Sequence, residues 1–177
     1  MSAPDRGPAF RFCPVCAAPL EPRALKTGEP LRLVCTGHTC GFVFYLDPKL
    51  AVGTIIRMPD GGIVLTRRAI EPGYGRWVFP GGYVDRGEEV RSAAVREARE
   101  EAGIEVTLDG LVGIYSYPGT TAVIIVYSAA WKAGTLAIDD ESSELRTFTP
   151  DALPWDEMAF PSTRDSLRDY LDGRRDG

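Results

Sequence analysis

The chain has 177 residues and a mass of 19.3 kDa, which is enough for one domain of ordinary size and a small additional module. Hydrophobic residues make up 44% of it and charged residues 25%, values that exclude a largely disordered or fibrous protein. The net charge of -5 argues against unaided binding to the phosphates of a nucleic acid, so we do not expect nucleic acid as a partner.

The start of the chain and its apolar runs indicate neither a membrane segment nor an export signal. Residues 1–9 are small, polar and proline-containing, and we expect a flexible N-terminus there. They lack the basic and apolar pattern of a targeting peptide, which favours a cytoplasmic location. The longest apolar stretch covers residues 122–131, about half of the ~20 residues that a membrane-spanning helix needs.

All four cysteines lie within residues 10–46, in two closely spaced pairs: Cys13 with Cys16, and Cys35 with Cys40. The 18 residues between the pairs are typical of two metal-binding knuckles, and so small a module lacks the apolar core to fold unaided. We therefore predict a zinc ribbon over residues 10–46, in which four thiolates hold one structural Zn²⁺. The second pair has four intervening residues instead of two, which leaves His38 as an alternative fourth ligand.

Residues 47–177 change to a pattern of strands and helices, which predicts an α/β domain. Strand-like runs cover residues 50–56 and 63–66, and the glycine-containing turn between them predicts a hairpin. Two further runs, at residues 111–117 and 123–131, predict two more strands.

Two helices are predicted in this domain. The first covers residues 88–102, ends at Gly103 and buries an apolar stripe formed by Val95, Ala98 and Ala102. The second follows Pro161, where Ser162 and Asp165 form a pair that resembles a capping box. We expect both helices to pack against the sheet.

Three glutamates of the first predicted helix, Glu97, Glu100 and Glu101, stand at positions i, i+3 and i+4 and therefore share one face. Converging carboxylates of this kind bind Mg²⁺ or Mn²⁺ and bridge the ion to the phosphates of a substrate. The simpler interpretation is a solvated face on which Arg96 and Arg99 pair with the glutamates. The charge pattern alone does not decide between these two interpretations.

A longer motif around the glutamates favours the metal site. Gly82 is followed after five residues by Glu88, and after seven more by the string REAREEAGI at residues 96–104. This pattern resembles the Nudix box at each of its defined positions, and residues 76–82 resemble the family's approach to the box. The resemblance extends over about residues 48–172.

The resemblance implies an α/β/α sandwich around a mixed sheet, here preceded by the zinc ribbon. It also implies hydrolysis of a nucleoside diphosphate linked to another moiety. In that case Glu97 and Glu101 are the principal ligands of Mg²⁺ or Mn²⁺, and Glu100 is a further ligand or a base. Glu88 and Arg96 would mainly hold the surrounding loops in shape. Members of the family commonly form dimers, so the resemblance also suggests a homodimer.

Further site residues are expected on either side of the box. Gly81 and Gly82 would let the backbone approach the metal and phosphate closely, and the resemblance makes a carbonyl beside Gly82 another ligand. Glu144, just before a predicted strand, resembles a position from which family members offer an additional ligand or base. Asp139, Asp140 and Glu141 are further candidates in the same acidic loop, for which a solvated role is equally reasonable.

Three residues are candidates for contacts with the substrate itself. Arg68 ends a predicted strand that leads towards the box, and its guanidinium would clamp a phosphate. Tyr117 and Phe160 would stack on a nucleobase, although aromatic side chains at such positions are more often part of a core.

The choice of substrate rests on the resemblance alone. A zinc ribbon before a Nudix domain resembles the NADH pyrophosphatases, but their signature after the box is missing, since residues 113–121 read GIYSYPGTT. The compact ribbon and residues 141–144 and 153–160 instead resemble the plant ADP-ribose/FAD pyrophosphatases. We therefore favour ADP-ribose or FAD as substrate, with release of AMP. NADH and nucleoside triphosphates are alternatives, and a non-catalytic nucleotide-binding or partner-binding protein is the alternative of another class.

Overall fold

The computed structural model describes residues 10–173, so the expected flexible N-terminus at residues 1–9 and the last four residues lie outside the described part. The described chain divides into two compact units between Pro48 and Lys49. No helix within residues 10–173 is both long and apolar enough to cross a membrane.

The first unit is a small antiparallel sheet built around the cysteines. Its strands are β1 (Leu20–Arg23), β2 (Arg32–Cys35) and β3 (Val43–Phe44), with β2 in the centre. The buried side chains of Cys13, Leu20 and Cys35 form its core, and Phe42 and Phe44 pack against them. Three buried residues are a small core, which agrees with the expectation that this unit needs a further source of stability.

The second unit is a mixed six-stranded sheet between two helices, as expected for the Nudix fold. Its elements are β4 (Lys49–Arg57), β5 (Ile63–Arg68), β6 (Trp77–Val78), α1 (Val90–Ala102), β7 (Ile104–Tyr115), β8 (Ala122–Gly134), β9 (Ser142–Phe148) and α2 (Pro161–Leu171). The strands follow the order β6-β5-β4-β8-β7, and β9 pairs with β5. Only β4 and β8 run parallel, and all other pairs are antiparallel.

The two helices cover opposite faces of this sheet. In β4, Ile55 belongs to a buried cluster with Leu167 of α2, whereas its neighbour Ile56 belongs to a cluster with Ala98 of α1. Successive residues of a strand point to opposite faces, so α1 and α2 lie on different sides. A hydrogen bond of 3.2 Å from the Thr54 hydroxyl to the carbonyl of Ala94 also ties α1 to β4.

The predicted hairpin is present, but its strands pair directly only beside the turn, between Arg57 and Ile63. Residues 77–84 lie along both strands instead: β6 pairs with β5, and the chain beyond it pairs with β4. The carbonyls of Pro80 and Gly82 accept hydrogen bonds of 2.9 and 2.8 Å from backbone N–H groups of β4. This inserted segment brings the start of the Nudix-like motif into the middle of the sheet.

The helix α1 is shorter than predicted. It begins at Val90 instead of Glu88, and it ends as predicted at Gly103, whose backbone is left-handed (φ 70°). The predicted apolar stripe is partly wrong, because Val95 is exposed while the buried surface consists of alanines and one glutamate: Ala93, Ala94, Glu97, Ala98 and Ala102. Small side chains let the helix pack closely on the strands.

The predicted capping box of α2 is wrong. The helix follows Phe160, and no side chain caps its first turn. Ser162 is buried, and the carboxylate of Asp165 accepts a hydrogen bond from Tyr117 instead of turning back to the helix start.

The strand β7 differs from the strand predicted at residues 111–117. It begins earlier, at Ile104, and ends at Tyr115, so that Tyr117 lies beyond it.

Candidate active site and cysteine cluster

The four cysteines form a compact group in the first unit. Their sulfur atoms all lie within 4.8 Å of one another, with distances of 3.7 Å between Cys13 and Cys40 and 3.4 Å between Cys16 and Cys35. Tetrahedral Zn²⁺ with Zn–S bonds of about 2.3 Å requires sulfur atoms about 3.8 Å apart, so donor type and spacing both fit this ion. His38 is exposed and lies outside the group.

In the second unit, Glu97 is held against the inserted segment. The residue is 8% exposed, and burial raises the pKa of its carboxyl group, with the nearby Arg96 acting in the opposite direction. A Cβ atom at Gly82 would lie 2.6 Å from Oε1 of Glu97, so only glycine leaves room for the carboxylate. The close packing fixes one carboxylate at the point where the backbone of the motif enters the sheet.

Glu101 contacts the same segment one residue earlier. Its Oε2 accepts a hydrogen bond of 2.8 Å from the N–H of Gly81. Burial raises the pKa of Glu101 to about 8 despite this bond, and the negative charges of Glu97, Asp139 and Glu141 add to the effect. The protein therefore places two carboxyl groups side by side in a poorly solvated position, where their ionised forms are disfavoured.

The backbone of Gly81 faces the glutamates. In an extended segment, the N–H and C=O groups of alternate residues point to the same edge. The carbonyls of Pro80 and Gly82 are directed at β4, so the N–H and carbonyl of Gly81 are directed away from it, towards Glu101. The carbonyl beside Gly82 that the resemblance suggests as a ligand is thus the one of Gly81.

Arg96 joins the loop before α1 to the glutamates. Its guanidinium forms two hydrogen bonds of 2.8 and 2.9 Å with Glu88, whose pKa these bonds lower to about 2. Its Nη1 also lies 2.8 Å from a carboxylate oxygen of Glu97 and 2.9 Å from one of Glu100. Arg96 therefore places its positive charge directly on the glutamates Glu88, Glu97 and Glu100.

The carboxylates of Glu97, Glu100 and Glu101 suit a hard divalent cation, but in this structure they do not all point to one position. Within residues 10–173, the four cysteines are the one group of three or more potential ligands that lie close enough to share an ion. Arg96 lies between Glu97 and Glu100, while Glu101 turns to Gly81. Carboxylates with raised pKa values and no full counter-charge fit Mg²⁺ or Mn²⁺, which prefer such ligands.

Glu144 lies apart from the glutamates of α1. It is part of β9, not of the loop before it, and it pairs with Arg67 of β5 at 3.5 Å and with Arg146. Its neighbour Leu145 packs on the cluster that contains α1, so Glu144 points to the other face of the sheet. The acidic residues whose charges reach Glu101 are instead Asp139 and Glu141.

The loop with Asp139 and Glu141 is fixed at both ends. The N–H of Ala137 donates to the last carbonyl of α1, at Ala102, over 3.0 Å, and Ala69 donates to the carbonyl of Glu141 over 2.7 Å. These contacts join parts of the chain that are far apart in sequence, so no local pattern in the sequence indicates them.

The other candidate residues have partners within the protein. Arg68 donates from Nε to the carbonyl of Pro72 over 2.7 Å, and its guanidinium lies 5.3 Å from the ring centroid of Phe160. The Tyr117 hydroxyl donates to Asp165 over 2.7 Å, and burial, followed by this bond, raises the pKa of Tyr117. Arg68 and Phe160 therefore form one surface, while Tyr117 is attached to α2.

Comparison with known proteins supports the resemblance over both units. Residues 47–170 match the model of the NUDIX domain, and residues 11–46 match the zinc-ribbon family described as Nudix N-terminal. The crystal structure of a NUDIX hydrolase from Nitrosomonas europaea is similar, with a TM-score of 0.84 and 30% identity over 93% of this chain and 92% of that one.

Curated relatives are also similar in sequence. An ADP-ribose pyrophosphatase of Methanocaldococcus jannaschii is 34% identical over 131 residues, which are 72% of this chain and 75% of that protein. The NAD-capped RNA hydrolase NudC of Pseudomonas aeruginosa is 28% identical over 94% of this chain, which spans only 57% of that protein. Family models over both units, together with these relatives, show that the chain belongs to the Nudix hydrolases and carries their N-terminal zinc ribbon.

Proposed function

We propose that the protein hydrolyses the diphosphate bond of ADP-ribose, or of a related ADP-linked compound such as FAD, and releases AMP. The observation that carries this proposal is the placement of Glu97 and Glu101 against Gly82 and Gly81. A diphosphate is strongly anionic, so a site that cleaves it needs concentrated positive charge. Two crowded, poorly neutralised carboxylates supply the negative charge that attracts cations to such a site.

Glu97 and Glu101 would hold Mg²⁺ or Mn²⁺ together with the carbonyl of Gly81, and Glu100 would join them by turning its exposed side chain from Arg96 Nη1 to the ion. The ions, when bound, neutralise the diphosphate and lower the pKa of an attacking water. Arg96 would keep its hydrogen bonds to Glu88 through Nε and Nη2, and these bonds would hold the loop before α1 in place. Asp139 or Glu141 is the better candidate for a further ligand or base than Glu144, because their charges reach Glu101.

The substrate class rests on the relatives. The ADP-ribose pyrophosphatase of M. jannaschii shares 34% of its aligned residues with this chain, which favours ADP-ribose. NAD-linked substrates are the second candidate, because the alignment with the NAD-capped RNA hydrolase includes 94% of this chain and so extends over both units. Both kinds of substrate contain an ADP group, whose diphosphate bond would be hydrolysed in the same way.

The cysteine cluster would hold one structural Zn²⁺. Four sulfur donors at tetrahedral spacing support this ion, and the small core of the first unit explains what the ion would contribute.

Purified protein should therefore contain one zinc ion per chain by elemental analysis. Cys13→Ser should lose most of it, and residues 10–46 should become sensitive to protease because metal binding and folding of so small a unit are linked. His38→Ala is the matched control and should keep its zinc. A Cys13→Ser variant that retains both zinc and protease resistance would contradict the proposed cluster.

A substrate panel tests the proposed activity. ADP-ribose, FAD, NADH, NAD and nucleoside triphosphates are incubated with Mg²⁺ or Mn²⁺, and the products are identified by chromatography. We expect the highest kcat/KM with ADP-ribose or FAD, release of AMP, and no turnover without a divalent cation. A tenfold preference for a nucleoside triphosphate, equivalent to about 1.4 kcal/mol in the transition state, would contradict the substrate assignment.

Within that panel, Glu101→Gln shows whether the activity belongs to this site. We expect kcat to fall by on the order of 10² or more, because the variant keeps the shape of the side chain but loses a charged ligand. Glu105→Gln is the control, since Glu105 is an exposed residue of β7 paired with Lys132. Activity within a few-fold of the unmodified protein in Glu101→Gln would place the metal site elsewhere.

The raised pKa of Glu101 also predicts how stability depends on pH in zinc-loaded protein without Mg²⁺ or Mn²⁺. A carboxyl group whose pKa is higher in the folded state favours folding while it is protonated, and this contribution is lost as the pH rises towards about 8. Glu101→Gln has no proton to lose, so its melting temperature should rise relative to that of the unmodified protein between pH 5 and pH 8. Thermal unfolding at both pH values measures this, and a constant difference would contradict the prediction.

A further inference from the structure

The strand β9 forms one outer edge of the six-stranded sheet. On its inner side it pairs with β5, from Ser142 opposite Arg68 to Phe148 opposite Ile63. Within residues 10–173, β5 is the one strand that pairs with it. An edge of this kind presents backbone N–H and C=O groups to which a further strand can bind.

The hydrogen bonds of β5 show which residues of β9 face this outer edge. In β5, the N–H of Arg68 donates to the segment that contains β6, and the N–H of Ala69 donates to the residue just before β9. Backbone groups alternate in direction along a strand, so Leu65 also faces β9, where Arg146 lies opposite and faces back. The residue before Arg146, Leu145, therefore directs its N–H and C=O to the outer edge.

Two side chains of opposite charge flank Leu145 along this edge. Glu144 and Arg146 form an ion pair with each other, and Glu144 also pairs with Arg67 at 3.5 Å. The Arg146 guanidinium lies 5.9 Å from the ring centroid of Trp77. The Glu144 side chain is 28% exposed and that of Arg146 61% exposed. Both charges are thus held in position and stay accessible beside the edge.

We propose that β9 pairs with β9 of a second copy of this chain, in an antiparallel arrangement with Leu145 of one copy opposite Leu145 of the other. In this register the two leucines exchange two backbone hydrogen bonds. Glu144 of each copy lies opposite Arg146 of the other, and facing charges of opposite sign stabilise a pair of strands. The product is a two-fold symmetric dimer in which one sheet continues through both copies.

The two charges select this register over its neighbours. A two-fold centre at Glu144 would place two glutamates opposite each other, and a centre at Arg146 would do the same with two arginines, which is destabilising. A centre at Thr147 would place Arg146 opposite Phe148. Of the two-fold registers centred at residues 144–147, the one at Leu145 is therefore the one that pairs both charges with opposite charges.

An apolar groove beside the same edge adds surface for a second copy. It has a volume of about 580 Å³ and is lined by Leu136, Ala137, Ile138, Leu145, Arg146 and Thr147. Ile138 is 51% exposed. Residues paired across strands share one face of a sheet, so the symmetry places the grooves of both copies on the same face. Their apolar side chains would lose contact with water when the dimer forms, which favours association.

Sedimentation equilibrium of the whole zinc-loaded protein tests this interface. The unmodified protein should form a dimer at micromolar concentrations. Arg146→Glu makes all four facing charges negative and Glu144→Lys makes all four positive, so the dissociation constant of each variant alone should rise by at least about tenfold. An equimolar mixture of the two variants should form a heterodimer, because every facing pair then has opposite charges.

Two further variants separate the interface from general effects of charge and folding. Arg23→Glu changes the net charge as much as Arg146→Glu does, on a side chain of the first unit that is 54% exposed, and it should remain a dimer. Thr147→Pro should weaken the dimer without a change of charge, because it removes an N–H that faces the outer edge and proline is tolerated in edge strands. Circular dichroism and zinc content show whether each variant is folded.

Three results would overturn the inference. The first is an unmodified protein that stays monomeric at micromolar concentrations. The second is a dimer of undiminished stability in the folded variants Arg146→Glu and Thr147→Pro, which would place the contact elsewhere. The third is a mixture of folded Arg146→Glu and Glu144→Lys proteins that forms no heterodimer.

Discussion

The backbone of Gly81 and Gly82 touches the carboxylates of Glu97 and Glu101 at distances that leave no room for a side chain. A Cβ atom at Gly82 would lie 2.6 Å from Glu97, and one at Gly81 would lie 2.3 Å from the carbonyl of Val52. This segment occupies the space between two strands that diverge after their hairpin turn. The positions of the two carboxylates relative to the sheet, and with them the geometry of the candidate active site, depend on this close contact.

The contact also has an electrostatic consequence. Burial raises the pKa values of both Glu97 and Glu101, and further acidic residues surround Glu101. Arg96 compensates only part of this charge, because two of its nitrogens are bound to Glu88. Ionised carboxylates in this position are costly without a cation, and a bound cation that takes the place of the Glu101 proton would offset this cost.

Local patterns in the sequence were sufficient for much of the fold. The spacing of the cysteines predicts their cluster, and the string at residues 96–104 predicts both the helix and the shared face of its glutamates. The hairpin of β4 and β5 follows from its turn. In each case the residues that decide the structure are close together in the chain, so their spacing carries the information.

Contacts between distant segments could not be predicted in the same way. The sequence around Glu144 resembles a ligand position, but the register of β9 against β5 pairs this residue with Arg67. Asp165 resembles a capping residue, but Tyr117 is its partner. Val95 has the right spacing for a buried stripe, but the alanines allow α1 to turn another side to the sheet. For Asp165 and Val95 a tertiary contact competes with a local preference and prevails, whereas the role of Glu144 stays a prediction.

The affinity of Gly82→Ala for Mn²⁺, measured by electron paramagnetic resonance on zinc-loaded protein, tests most directly whether the close contact defines the metal site. We expect a folded variant whose Mn²⁺ affinity is lower by about tenfold or more, as is common when the groups that orient a ligand are changed. Gly110→Ala is the control, because a Cβ atom there would meet nothing within 4 Å. A folded Gly82→Ala variant that binds Mn²⁺ as tightly as the unmodified protein would contradict the account.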